Sequence, residues 1–341
     1  MTNYQDYSPQ ILRDFLSYHE TIKSHSQNTV DEYFLDLRNF FRYIKQTRDR
    51  SLRDTPWDEI SIMDVDIGLV RSITLTDIYG YLTYLSRDRA QQPNSDKTSY
   101  GLNAATRARK IATLRSFFNY LTKKVHLLED NPVKELDSPK LKKALPKYLT
   151  LDESLELLSS VDGANSERDY CILTIFLNCG LRISELIGLN LGDIQDDALR
   201  VLGKGNKVRI VYLNDACKDA LERYLAVRRP ISGKDQNALF LSSRNQRISR
   251  SSVHALVKKH LSQAGLDSTQ YSSHKLRHTA ATLMLQNGVD VKAVQEVLGH
   301  EHLNTTEIYT HIDNEDLRIA ARANPLGKVK QKKPRAPDKD P

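Results

Sequence analysis

The segment Ser273-His274-Lys275-Leu276-Arg277-His278-Thr279 gathers two imidazoles and a guanidinium within little more than one helical turn. His274 and Arg277 are three apart and His278 lies four beyond His274, so a helix would set them on one face. Histidines at that spacing suit a zinc ion as well as an anion. No acidic residue follows His274, however, and Lys275 and Arg277 would repel a cation. A phosphate is the better guest, because arginine offers a planar bidentate fork and imidazole can donate to or accept from an oxygen.

Three further stretches carry the same kind of chemistry. The run Leu298-Gly299-His300-Glu301-His302-Leu303-Asn304-Thr305-Thr306-Glu307-Ile308-Tyr309-Thr310-His311 sets a tyrosine nine residues after a histidine. Residues 279–312 also read as a helix-turn-helix that turns at Gly288 or Gly299 and only binds DNA. Tyr309 would then be a core or backbone-contacting residue. In Gly180-Leu181-Arg182-Ile183-Ser184-Glu185-Leu186-Ile187-Gly188-Leu189, an arginine follows a helix stop and precedes an apolar helix that would fix its backbone. Lys204 stands at the tip of a glycine loop. Taken singly, Arg182 reads as a surface arginine and Lys204 as a solvated hairpin lysine.

Taken together, these stretches resemble the tyrosine recombinases, particularly the bacterial Xer type, over nearly the whole chain. The family's glycine-leucine-arginine-x-x-glutamate-leucine context is matched by Gly180 to Leu186, and its histidine-x-leucine-arginine-histidine block by His274 to His278. Its leucine-glycine-histidine with a tyrosine nine residues on is matched by His300 and Tyr309, and its hairpin lysine by Lys204. The resemblance implies a site-specific recombinase in which Tyr309 attacks a phosphodiester and forms a 3′-phosphotyrosine bond. Arg182 and Arg277 would clamp the non-bridging oxygens, His274 would accept the tyrosine proton, and Lys204 would protonate the departing 5′ oxygen. His300 would hydrogen-bond the phosphate and Glu185 would hold the group in register. No cofactor or metal is implied. The partners implied are double-stranded DNA with an inverted-repeat site, further recombinase protomers in a homo- or hetero-tetramer, and a septal DNA translocase of the FtsK kind.

The elements that must position these residues fall into two parts. Ser8-Pro9 starts a helix carrying Leu12, Phe15, Leu16 and Ile22. Asn28 can cap a second helix with Phe34, Leu37, Phe41 and Ile44, Thr76 a third with Ile78, Leu82 and Leu85, and Asn103 a fourth with Ile111, Leu114, Phe118 and Leu121. Residues 49–72 read as a loop with a short helix, and 87–99 as an exposed loop. The first part, 1–133, is thus expected to be a four-helix core-type DNA-binding domain. Residues 134–147 read as a basic linker bearing Lys140, Lys142, Lys143 and Lys147.

The capping-box pattern Thr150-Leu151-Asp152-Glu153 opens a catalytic domain over 148–323. It is expected to hold a helix over 166–179 stopped by Gly180 and a hairpin of 199–202 with 208–213 around Gly203-Lys204-Gly205-Asn206. A helix from Asn214 to about Arg228, a short strand 238–241, a helix from Ser249 to about Gln263 and several short helices follow. The apolar Leu317, Ile319 and Ala320 would suit docking onto a neighbouring protomer. Residues 324–341, rich in Pro and Lys, read as a basic, disordered tail. The fold class is therefore mainly α, a two-domain clamp with a small antiparallel sheet.

The bulk properties agree. A net charge of +7 suits a polyanionic partner. Arg107, Arg109 and Lys110, with the linker lysines Lys140, Lys142 and Lys143, are candidate DNA contacts. No apolar run could span a membrane, and Cys171, Cys179 and Cys217 fit a reduced, cytoplasmic protein. The expected role is Xer-type resolution of chromosome dimers. A mobile-element integrase or transposase is the alternative, and a type IB topoisomerase shares the chemistry. A non-catalytic DNA-binding regulator is the reading from another class.

Overall fold

A computed structural model of the chain describes residue 4 and residues 6–89, 100–137, 139, 147–203, 207–299, 319 and 322–329. The chain forms two compact units, Met1–Lys143 and Ala144–Pro341. Their boundary falls inside the lysine-bearing stretch at 134–147.

The first unit is built from α1 (Gln10–Ser17), α2 (Gln27–Arg48), the single-turn α3 (Ile67–Arg71), α4 (Leu75–Arg87) and α5 (Ala104–Lys123). Phe34, Leu37, Phe41 and Ile44 recur on one stripe of α2 and are fully or nearly fully buried. They meet Ile78, Tyr81 and Leu85 of α4 and Ile111, Leu114, Phe117 and Phe118 of α5 in one aromatic-rich core. Two helix starts differ from expectation. The N-cap of α2 is Ser26, not Asn28, and that of α4 is Thr74, not Thr76. At Thr74 the third helical residue is Asp77, whose carboxylate accepts the Thr74 N–H at 2.8 Å while the Asp77 N–H donates to Thr74 Oγ1 at 3.3 Å. Three residues after Thr76 stands Tyr79, which has no carboxylate to reciprocate.

The second unit contains α6 (Leu151–Ser159), α7 (Ser166–Cys179), α8 (Ile183–Gly188), β1 (Ile194–Gln195), β2 (Ala198–Leu202) and β3 (Val208–Tyr212). These are followed by α9 (Asp215–Val227), α10 (Arg250–Gln263), α11 (Ser273–Gln286) and α12 (Val291–Leu298). The box at Thr150 forms as its sequence suggests, with Thr150 N–H donating to Glu153 at 2.7 Å. Every residue of α7 from Asp169 to Cys179 is buried, so this helix is the axis of the unit, packed between α9 and α11. The sheet is antiparallel in the order β1-β2-β3, with Val201 paired to Arg209 and Leu199 to Val211.

Two expectations for this unit need correction. Residues 238–241 join no sheet and form only the isolated bridges Asn190–Ala238 and Leu241–Arg247. The carbonyls of Ala238 and Leu239 are taken by side chains at the end of the helix before them. Arg228 donates to Ala238 O at 2.6 Å and to Leu239 O at 3.0 Å, and Tyr224 Oη donates to Leu239 O at 3.1 Å. Nor does the tail begin at 324. Asn324 Nδ2 donates to Leu177 O at 3.0 Å, and Pro325–Lys328 form a 3₁₀ turn that sinks Leu326 completely into the core. One leucine and one satisfied amide outweigh the basic composition around them.

Candidate active site

Helix α7 cannot continue past Cys179, because Gly180 takes the left-handed conformation, φ +59°. A side chain there would also collide: a methyl carbon on Gly180 would lie 2.4 Å from Leu298 Cδ2. The stop turns the chain so that Arg182 becomes the N-cap of α8 and Glu185 its third residue. Glu185 reaches back to accept the Arg182 N–H at 2.7 Å, and its side chain is only 2% exposed.

Around that carboxylate stand three arginines from three distant stretches of chain. Arg182 Nη1 donates to Glu185 Oε1 at 2.8 Å. Arg209, from β3, makes a two-armed contact through Nη1 at 2.8 Å and Nη2 at 2.9 Å. Arg277, from α11, sets Nη1 at 3.8 Å from Oε2. Burial alone would push the Glu185 carboxyl up, but the hydrogen bonds and charges of Arg209 and Arg182 outweigh it and hold the group below its ordinary range.

The same arginines close the C-terminal end of α12. Arg209 Nε donates to Val297 O at 3.3 Å, Arg277 Nη2 to Leu298 O at 2.6 Å, and Arg182 Nη2 to Gly299 O at 2.9 Å. Arg277 Nη1 meanwhile donates to Gly180 O at 2.6 Å, at the end of α7. A helix C-terminus leaves carbonyls without amide partners and carries partial negative charge, so cations belong there. The carbonyl ends of two helices thus fix the guanidiniums without adding a full negative charge. Gly299 is itself left-handed, φ +65°, and a methyl carbon there would lie 3.0 Å from Arg209 Nη1.

The two arginines named from sequence differ in access. The Arg277 side chain is 5% exposed and that of Arg182 37%. Desolvation, then the charge of Arg182 and Arg209, brings the Arg277 guanidinium down to about 10, so it stays protonated at neutral pH. His274 and His278 stand on the same helix with ring centroids 4.8 Å apart, edge to face. Partial desolvation, followed by the charges of Arg277, Lys275 and Arg182, lowers the His274 imidazole from its ordinary value. It is therefore neutral at pH 7, with a lone pair available. No group of three or more His, Cys, Asp or Glu among the described residues could hold a metal ion. What the arrangement offers is a rigid, positively charged socket with a neutral imidazole beside it, which suits a phosphate undergoing substitution.

A family model, the phage integrase family, matches residues 147–316. Tyrosine recombinase XerC of Caldanaerobacter subterraneus subsp. tengcongensis is 51% identical over 319 residues, 93% of this chain and 87% of that protein. The chain is a tyrosine recombinase. Tyrosine recombinase XerD of Proteus mirabilis is 34% identical, covering 93% of each chain. Among solved structures, XerH bound to its difH substrate superposes with a TM-score of 0.59 at 24% identity, over 91% of this chain and 84% of that one. A lambda integrase dimer on a core site gives 0.58 at 19% identity, over 89% and 99%. Both share its mainly helical, two-domain fold. The recombinase is thus Xer-like and belongs to the enzymes that cut and rejoin DNA at specific sites.

Of the residues singled out in its sequence, the structure brings together Arg182, Glu185, His274 and Arg277. Lys204, His300 and Tyr309 lie outside the described residues, as do Lys140, Lys142 and Lys143. Gly203, which precedes Lys204, borders the cluster: a methyl carbon on it would lie 3.8 Å from Glu185 Oε1. In the first unit the expectation of DNA contact fails for Lys110. It is buried, and its ammonium donates to Asp36 at 2.6 Å. Arg109 makes a two-armed contact with the same carboxylate at 2.7 and 3.0 Å and pairs with Glu32 at 2.6 Å, although its side chain stays 43% exposed. Arg107 lines a groove of about 270 Å³ with Tyr79, Leu82, Thr83, Ser86 and Pro139.

Arg209 was missed. The signal was there: strand alternation puts it on the same face as the buried Val211, where an arginine needs a buried partner.

Proposed function

We propose that Arg182 and Arg277 hold the two non-bridging oxygens of the phosphate that this recombinase cuts. The single observation that carries this reading is the Glu185-centred cluster, in which both guanidiniums are held in place by helix-end carbonyls. Tyr309 Oη bonds to phosphorus as the bond from phosphorus to the 5′ oxygen breaks. The tyrosine proton passes to neutral His274, and Lys204 supplies a proton to the departing oxygen. His300 hydrogen-bonds the phosphate, and Glu185 keeps Arg182 in place. Attack by a 5′-hydroxyl of another duplex reverses the step, so strands exchange with no energy source beyond the conserved phosphotyrosine bond.

The partners follow from that cycle: double-stranded DNA with an inverted-repeat site, and further protomers that make a homo- or hetero-tetramer on two such sites. Likeness to proteins named XerC and XerD supports resolution of chromosome dimers, in the cytoplasm and under a translocase of the FtsK kind. No helix among the described residues is long and apolar enough to cross a membrane.

Covalent capture tests the reading. Wild type and Tyr309→Phe are incubated with fragmented DNA of the source genome and denatured in SDS, and the attached DNA is sequenced. The expected product is DNA joined through its 3′ end to wild type alone, at one or two short inverted repeats. A repeat near the replication terminus supports dimer resolution, whereas one at an element boundary supports integration. Equal retention by the phenylalanine variant would remove the nucleophile.

A further inference from the structure

Arg209 is the member of the cluster for which the proposed chemistry has no use. Its side chain is 17% exposed, and its guanidinium is spent inward, with two arms on Glu185 and Nε on Val297 O. It therefore presents little to a ligand. Its effect must pass through the group it touches.

That group is a liability to a phosphate site. Glu185 is a nearly fully buried carboxylate, 2.8 Å from Arg182 Nη1 and 3.8 Å from Arg277 Nη1. Left with those two alone, it would cancel one of the two charges that hold the phosphate. It would also repel the second negative charge that develops as the phosphate becomes five-coordinate. With Arg209 present, three guanidiniums face one carboxylate among the described residues, and the surplus of two matches that charge. A two-armed arginine suits the task, since it answers both carboxylate oxygens in one plane and cannot lose its proton near neutral pH.

We propose that Arg209 is a positioning residue that neutralises Glu185, leaving Arg182 and Arg277 their full charge for the scissile phosphate. This rests on Arg182 and Arg277 being the phosphate clamp. It makes Glu185 a tether whose charge is cancelled from behind, so the cost of Arg209's absence should disappear with the charge of Glu185.

The test uses the full-length protein and a nicked duplex carrying the repeat recovered by covalent capture, with covalent complex formation followed in time. Arg209→Gln is expected to slow the reaction ~10–100-fold, the range for partners that orient a reacting group. Adding Glu185→Gln to that variant should recover at least tenfold. Arg209→Lys, which keeps the charge but loses the fork, should fall between Arg209→Gln and wild type. Melting temperatures read alongside separate folding from chemistry. The proposal is overturned if Arg209→Gln cleaves within twofold of wild type, or if the double variant, melting like Arg209→Gln, cleaves no faster than it. Should Arg209→Gln not fold, Arg209→Lys decides: a folded lysine variant more than a hundredfold slow would overturn the charge account, and one within tenfold of wild type would support it. Arg182→Ala is the control for the underlying reading. A wild-type rate from it would remove the clamp itself, and this proposal with it, whatever Arg209 does.

Discussion

Each half of the molecule contains a buried carboxylate that gathers cations, and the two are put to different ends. In the first unit Asp36, 3% exposed, takes Arg109, Lys110 and the Thr113 hydroxyl, while Glu32 takes a further contact from Arg109. Two acids face two cations, and the charges cancel. In the second unit Glu185 faces Arg182, Arg209 and Arg277, and positive charge is left over. A balanced cluster pins helices together. A cluster with surplus charge, held by helix-end carbonyls, keeps a field for something that is not part of the chain. The count of charges, rather than the presence of arginines, separates structure from site.

Substitutions should break that symmetry in a graded way. The largest effect belongs to Arg182→Ala, with cleavage of a nicked site duplex reduced ~10³-fold and melting little changed, as befits loss of a charged donor to a transition state. Asp36→Asn should do the reverse. It strands the buried Lys110 ammonium and should lower stability by about 3–5 kcal/mol in urea unfolding. Lys110→Met should leave the salt dependence of DNA binding by the folded fraction as in wild type, because that ammonium is already spent on Asp36. A change in that dependence would mean that the Asp36 cluster also meets phosphates.

A smaller effect should appear with pH in the first unit. Burial, then the charges of His25 and Lys23, lower the His19 imidazole from 6.5 to about 4. The native state therefore stays neutral where the unfolded chain binds a proton. Stability from this source is complete above pH 6.5 and drains away as pH falls towards 4. Between pH 7 and 5 the loss should be about 2 kcal/mol, and His19→Gln should flatten it. The smallest change expected is at the terminal turn. Asn324→Ala leaves Leu177 O without its donor and should cost roughly 1–2 kcal/mol, with the 3₁₀ turn more readily proteolysed. No change in stability would show that Leu326 alone holds the turn.

How far the sequence could be read depended on how local the cause was. The box at Thr150, the cap at Asn103, the stop at Gly180 and the hairpin around Gly203 each rest on residues a few positions apart. Of the helix starts with competing polar residues nearby, Thr74 against Thr76 was settled by the reciprocating Asp77, whereas Ser26 stands at the start of α2 with no side-chain bond to the helix amides. The stretch at 238–241 looked like a strand because its apolar residues are buried. Arg228 and Tyr224, though, come from the end of a neighbouring helix and take the carbonyls of Ala238 and Leu239. Nothing in the segment itself reveals that. Arg107, Arg109 and Lys110 looked alike as a basic helix start, and only the position of Asp36, 73 residues before Arg109, separates them.

By itself the sequence determined the residue types a phosphate needs, their spacing on local elements, and the helical character of both units. Those properties follow from backbone periodicity and capping chemistry, which act over a few residues. The tertiary structure decided which cations are free. Arg182, Arg209 and Arg277 meet at one carboxylate and one helix end only because α7, the hairpin and α11 pack on a shared core. Lys110 is lost to Asp36 for the same reason. A charge does its work at a distance of a few ångströms, and that distance is set by packing between segments that the sequence keeps far apart.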